Sequence, residues 1–156
     1  MRRNDREVID QQKIESIISF CHCCRLGFYD NDGVYIVPLN FGYEKIQEKR
    51  IFYFHGAKEG RKINLIKTGN PVGFEMDTNY KLHENENACG YSAGFQSIIG
   101  TGKIVLIEDL DEKIHALQQI MFHYTEKRDW EFSMEMLKNM SVFKLEVREI
   151  SCKEHE

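Results

Sequence analysis

An antiparallel β-barrel with peripheral helices, a mainly β fold of the α+β class, is what this sequence predicts. Three observations point there. Asp30-Asn31-Asp32-Gly33 separates two strand-like runs, and Asp-Gly accepts the positive φ angles that tight hairpin turns demand. The predicted elements then run hairpin, strand, helix, two further strands, helix and final strand, without the strand–helix–strand rhythm of a doubly wound parallel sheet. No internal repeat, low-complexity stretch or linker interrupts them.

Residues 1–12 read as a polar N-terminal arm on a single domain spanning residues 1–156. Asp10 is an N-cap residue, and Ile14, Ile17 and Ile18 after it fall on one helical face. Strand signal begins at Cys21 and runs through Arg25-Leu26-Gly27-Phe28-Tyr29 to the Asp-Gly turn; Val34 to Tyr43 is the return strand. Pro38 within it has no N–H to give a ladder, so it marks an edge, a bulge or a ligand-facing break. A charged loop, Glu44 to Lys49, leads to a third strand, Arg50 to Phe54. The helix after it runs to about Thr68, with Gly69 as its stop and Pro71 beyond. Val72 to Met76 is a fourth strand, and Asp77 to roughly Gly94 reads as a long polar loop, a length that is often functional or mobile. The fifth strand spans Phe95 to Ile107, with a bend or bulge at Gly100 and Gly102. A helix follows from Asp109 to about Tyr124, its Ile114, Leu117, Met121 and Tyr124 spaced as a core face. A short helix at Ser133 to Asn139 precedes a last strand in which Phe143, Leu145 and Val147 alternate with charged residues.

Composition excludes several functions. Hydrophobic residues make up 42% of the chain and charged residues 29%, an ordinary globular balance. A net charge of −4, from 21 basic and 25 acidic residues, lacks the basic excess of a general nucleic-acid binder. No apolar run is long enough to span a bilayer, and the N-terminus is too polar for a signal peptide, so a soluble, cytoplasmic protein without membrane partners is expected. Three of the five cysteines crowd into Cys21-His22-Cys23-Cys24, but no second ligand pair matches them. They are expected to be reduced, partly buried thiols, with no metal site.

The chemistry concentrates in Phe54 to Lys62, read as a strand-to-helix turn with His55, Gly56, Gly60 and the cations Lys58, Arg61 and Lys62. A helix start already carries partial positive charge, so these cations oppose the local dipole. The placement suits a docked anion, most simply phosphate; the alternative is a solvated, lysine-rich turn. Two other segments could converge with it if the sheet curls. Val37-Pro38-Leu39-Asn40-Phe41 offers backbone groups and one amide beside apolar surface, suited to a flat heteroaromatic ring, and Gln96-Ser97 offers an amide and a hydroxyl for phosphate oxygens. A satisfied strand serine accounts equally well for Ser97. His55 stands apart among the histidines because it sits at the mouth of the turn: either it is a backbone-bonded loop histidine or it contacts a ligand ring or substrate. No GxSxG elbow, HExxH or P-loop pattern is present.

Taken in order and spacing, Arg2-Arg3, Cys24 to Gly27, Val37 to Tyr43, Phe54 to Lys62, Ala88-Cys89, Tyr91-Ser92 and Gln96 to Gly102 resemble the flavin-binding split-barrel proteins related to pyridoxamine 5′-phosphate oxidase. Within these, the chain is similar to the 5-nitroimidazole resistance group, over residues 1 to about 150. The resemblance implies a homodimer of antiparallel Greek-key split β-barrels holding FMN, with FAD possible, in grooves at the dimer interface. It implies that Val37, Pro38, Leu39 and Asn40 line the flavin ring through their backbone, and that His55 and Gly56 lie beside it. Arg61 and Lys62 match the basic pair at the phosphate, and Gln96 and Ser97 match polar residues reaching the flavin across the interface. Two departures stand out. Gln96 occupies a position where relatives often carry arginine, and the C-terminal residues with which true pyridoxamine phosphate oxidases hold substrate phosphate are missing. The expected function is a flavin-dependent oxidoreductase acting on a small aromatic or nitro-aromatic compound, with His55 as the catalytic group. Two alternatives remain open: a flavin-binding or flavin-sensing module without a dedicated reaction, and a haem-binding split barrel whose axial ligand would be His55, His83 or His123.

Overall fold

The Asp-Gly hairpin opens the sheet. The structure, a computed structural model, describes residues 4–31 and 33–156, without the side chain of Asn4; Arg2-Arg3 and the Asp32 of the predicted turn lie outside the described residues. In chain order the elements are β1 (Glu7–Val8), α1 (Gln11–Phe20), β2 (Cys24–Asp30), β3 (Gly33–Leu39), β4 (Gly42–Ile46), β5 (Lys49–Ala57), α2 (Arg61–Lys67), β6 (Val72–His83), β7 (Ser92–Leu106), α3 (Leu110–Thr125), α4 (Met134–Lys138) and β8 (Met140–His155). The strands pair antiparallel throughout in the order β3-β2-β6-β7-β8-β5-β4, with β1 added to β8.

The sheet curls on itself. β5 and β6 are separated in the ladder by β8 and β7, which in a flat sheet would put them about 14 Å apart. Yet the rings of Phe52 on β5 and Phe74 on β6 have centroids 5.3 Å apart. The inward faces therefore enclose one core, containing Leu26, Phe28, Phe52, Phe54, Phe74, Ile98, Phe143 and Leu145. A second cluster, with Tyr53, Val142, Leu117 and Ile120, lies between the outer face of β5 and β8 and the helices α3 and α4. The edges β3 and β4 do not pair with each other, so the barrel stays split.

Local chemistry explains most of the helices. The Asp10 carboxylate accepts from the Gln12 and Lys13 N–H groups at 2.8 and 3.3 Å, capping α1 and letting it bury Ile14, Ile17 and Ile18. Asp109 and Ser133 cap α3 and α4 in the same way. Gly69, at φ 73°, follows α2 as expected. No described helix is long and apolar enough to cross a membrane.

Four expectations are corrected. The return strand does not run unbroken to Tyr43. It breaks at Asn40–Phe41, where the Phe41 N–H leaves the ladder for the Tyr124 hydroxyl at 3.0 Å and its ring packs on His123 at 4.2 Å. The polar loop from Asp77 to Gly94 is mostly strand: Asp77 to His83 extends β6 against Ser92 to Ser97 of β7, through a bulge at Asn79, and only residues 84–91 connect them. Much of the charged loop is strand β4, turning at Gln47. The polar arm is tied down where Glu7 and Val8 pair with Lys153 and Cys152.

Candidate functional site

The free edge of β3 supplies the first part of the site. Among the described residues β3 pairs only with β2, so its other side presents unpaired backbone groups, and Pro38 is tolerated there because an edge demands fewer donors. Alternation points Val34, Ile36 and Pro38 outward, while Val37 and Leu39 pack on the core. A ligand along this edge would meet main chain rather than the Val37 or Leu39 side chains. Asn40 follows the strand and is exposed.

The second part lies at the end of β5. His55 and Gly56 are strand residues, not turn residues; only Lys58 to Gly60 turn, with Gly60 at φ 128°. Gly56 shares the inner face with Phe54, and an ideal Cβ there would sit 2.7 Å from the Lys62 ammonium. Only glycine leaves room for Lys62 to fold down in this way, with Nζ 5.5 Å above the Phe143 ring centroid. Burial lowers the Lys62 pKa, and among the described residues no carboxylate lies within ion-pair distance of it. His55 points to the other face, beside Tyr53 and opposite Val142. Partial burial, and secondarily the Lys62 charge, hold its pKa below the ordinary histidine value, so at neutral pH it is an uncharged imidazole with one donor and one acceptor nitrogen.

Arg61 is differently placed. Its Nε and Nη2 both reach Asp30 Oδ2 at 2.8 Å, its guanidinium lies 4.6 Å over the Tyr35 ring, and the pairing holds the Asp30 carboxyl below its usual range. The two adjacent cations thus separate: Arg61 fastens α2 to the β2–β3 hairpin, and Lys62 has no ion-pair partner among the described residues. Through this pair, α2 bridges β3 and β5. Neither Asp30 nor Tyr35 was singled out from sequence as part of the site, since nothing local signals a contact between residues thirty-one apart.

Gln96 and Ser97 are elsewhere. Gln96 donates to Glu154 at 2.7 Å and accepts from Asn79 at 2.6 Å, while Glu154 is also paired with Lys13. Along β8, His55 stands opposite Val142 and Gln96 opposite Glu154, roughly 40 Å apart along the strand at about 3.3 Å per residue. One chain therefore brings together the β3 edge, His55, Gly56, Arg61 and Lys62, but not Gln96 and Ser97. Of the histidines considered for haem, His123 uses Nε2 on the Cys21 carbonyl at 2.7 Å.

The pyridoxamine 5′-phosphate oxidase family model matches residues 10–154. This chain belongs to that family. Its members are flavin-binding split barrels, and the curled antiparallel sheet with its two unpaired edges has that architecture. Among solved structures, it is similar to a candidate 5-nitroimidazole antibiotic resistance protein from Bacteroides thetaiotaomicron, at 36% identity and a TM-score of 0.80, over 94% of this chain and 85% of that one. The flavocytochrome Anf3 from Azotobacter vinelandii matches at 19% identity and a TM-score of 0.80, over 100% and 72%. A FAD and heme binding protein from Mycobacterium smegmatis matches at 13% identity and a TM-score of 0.81, over 97% and 74%. These last two likenesses show the fold alone. Among curated proteins no match was found.

Proposed function

We propose that this protein is a flavin-dependent oxidoreductase that holds FMN, or FAD, and reduces a small aromatic or nitro-aromatic compound. The observation that carries the proposal is Lys62: a half-buried ammonium with no carboxylate within ion-pair distance among the described residues, cradled over Gly56 next to an uncharged histidine and an open strand edge. An ammonium taken partly out of water without a counter-ion is costly, and a flavin phosphate would supply that counter-ion. Arg61 has guanidinium edge left beyond its Asp30 contacts and adds charge nearby. The main chain from Val37 to Asn40 would lie along the ring. Bound flavin supplies the electron-transfer chemistry. His55 orients substrate through a hydrogen bond, and the likeness at 36% identity to a candidate nitroimidazole resistance protein favours a nitro-aromatic one.

A second copy of the chain completes this site. The outer face of β3, β2, β6 and β7 exposes Tyr29, Val34, Ile36 and Ile99 around Gly27 and Gly73, a mixed surface crossed by the Arg25–Glu75 and Arg25–Asp77 ion pairs that also bears Ser97. A homodimer through this face would bring Gln96 and Ser97 of one protomer to the half-site of its partner.

Reconstitution with FMN, followed by NADH- or NADPH-driven reduction of a nitroimidazole, tests the proposal. A flavin absorbance spectrum with turnover is expected. Flavin binding without turnover would leave only the binding-module alternative, and failure to bind either flavin overturns both.

A further inference from the structure

Beside the flavin half-site lies a second cleft, of about 400 Å³, between α2, the start of α3, the end of α4 and the first residues of β8. Four lysines line it, Lys58, Lys67, Lys113 and Lys138, against one carboxylate, Glu108. Among the described residues none of the four makes an ion pair. The chain carries a net charge of −4, so carboxylates are plentiful, and gathering four uncompensated ammonium groups around one cleft costs repulsion that a bound polyanion removes. Ile63, Leu106 and Met140 also line it, and Ser141 adds a hydroxyl. Multiple positive charge beside apolar side chains, in a volume within the range of small-molecule sites, suits a nucleoside diphosphate: phosphates on the lysines, a flat base against the apolar residues.

The ladder joins this cleft to the half-site. Ser141 pairs with Gly56 and donates to the Lys58 carbonyl at 3.3 Å, and Val142 pairs with His55. α2 contributes to both places, Lys62 to the half-site and Ile63 and Lys67 to the cleft. We propose that the cleft binds the adenosine diphosphate portion of a dinucleotide, an inference that rests on the flavin assignment for its link to the redox site. Two dinucleotides carry that portion: FAD itself, or the nicotinamide electron donor.

ADP is the direct probe, titrated calorimetrically into the wild-type protein and into a Lys113→Gln/Lys138→Gln double variant, with FMN and FAD titrated in parallel. A Lys67→Gln variant provides a second route should the first fold poorly, with folding checked by circular dichroism. The expected result is ADP binding that weakens with salt and at least tenfold in the variants, with FMN affinity unchanged. If FAD weakens alongside ADP, the cleft holds the adenylate half of the flavin. If FAD is unaffected while the KM for NADH or NADPH rises in FMN-loaded protein, it holds the donor. No ADP binding to the wild type, or equal affinity in wild type and variants, overturns the proposal whatever the flavins do. ADP binding without any flavin binding retains the cleft as a nucleotide site and refutes the flavin assignment instead.

Discussion

Gly56 and Lys62 act together, because the missing side chain of one makes the resting place of the other. In Gly56→Ala the new methyl meets the flexible end of Lys62 rather than backbone, so the ammonium moves and the fold survives. The melting temperature should change little while FMN affinity falls, as read by flavin fluorescence quenching. Lys62→Gln removes the charge outright, and losing a charge-assisted hydrogen bond of about 1.5–3 kcal/mol should weaken FMN by about ten- to a hundredfold. The same variant reports on His55. Lys62 helps to hold the His55 pKa down, so in Lys62→Gln an NMR titration should find that pKa raised toward the ordinary value; an unmoved or lowered pKa would mean that the two groups do not interact. His55→Ala should slow turnover and leave FMN binding nearly intact, whereas unchanged turnover removes His55 from the mechanism.

Beyond the ladders, α3 fixes two connections of the sheet. Its Tyr124 hydroxyl donates to the His22 carbonyl and accepts from the Phe41 N–H, and His123 donates to the Cys21 carbonyl, so two adjacent residues pin the segment before β2 and the β3–β4 crossover. Close approach at β4 requires Gly42: a Cβ there would fall on the Ile120 nitrogen, and 2.5 Å from the Gln119 carbonyl carbon, all of it backbone. Gly42→Ala should therefore cost at least about 1–3 kcal/mol in denaturant unfolding, unlike Gly56→Ala. Burial lowers the His123 pKa, so the unfolded chain binds the proton more readily than the folded one. Stability should be full above about pH 6.5 and decline as the pH falls through that value toward the lower folded pKa; His123→Gln should flatten this part of the melting curve's pH dependence. The cap of α1 and the stop at Gly69 were legible because each is decided within a turn of chain. The far half of β6 and the first residues of β7, Ser92 to Gly94, were not. From Asp77 onward they extend past the core and carry mostly polar or exposed side chains, so backbone pairing holds them and leaves no hydrophobic period to read.

At the scale of the molecule, the candidate residues divide into two groups that a single chain keeps apart, which no inspection of local motifs could reveal. Val37 to Asn40, His55, Gly56, Arg61 and Lys62 form one half, and Gln96 and Ser97 lie at the far end of the long β7–β8 ladder. If a homodimer completes the site, disrupting its face and disrupting flavin binding should be the same event. Ile36 is 62% exposed on that face, so Ile36→Asp should leave the fold intact, halve the mass measured by light scattering and abolish tight FMN binding together. A monomer that still binds FMN tightly would mean that one chain suffices. Complementation separates assembly from mere stability. Lys62→Gln damages one half of each site, and a Gln96→Ala/Ser97→Ala variant damages the other, so either homodimer has two defective sites. In a mixed dimer both lesions fall on one site and the second site is built wholly from intact residues. Co-refolding the two variants should therefore restore tight binding to about half of the sites in each mixed dimer. Were both halves supplied by the same chain, every site would keep a lesion and mixing would restore none.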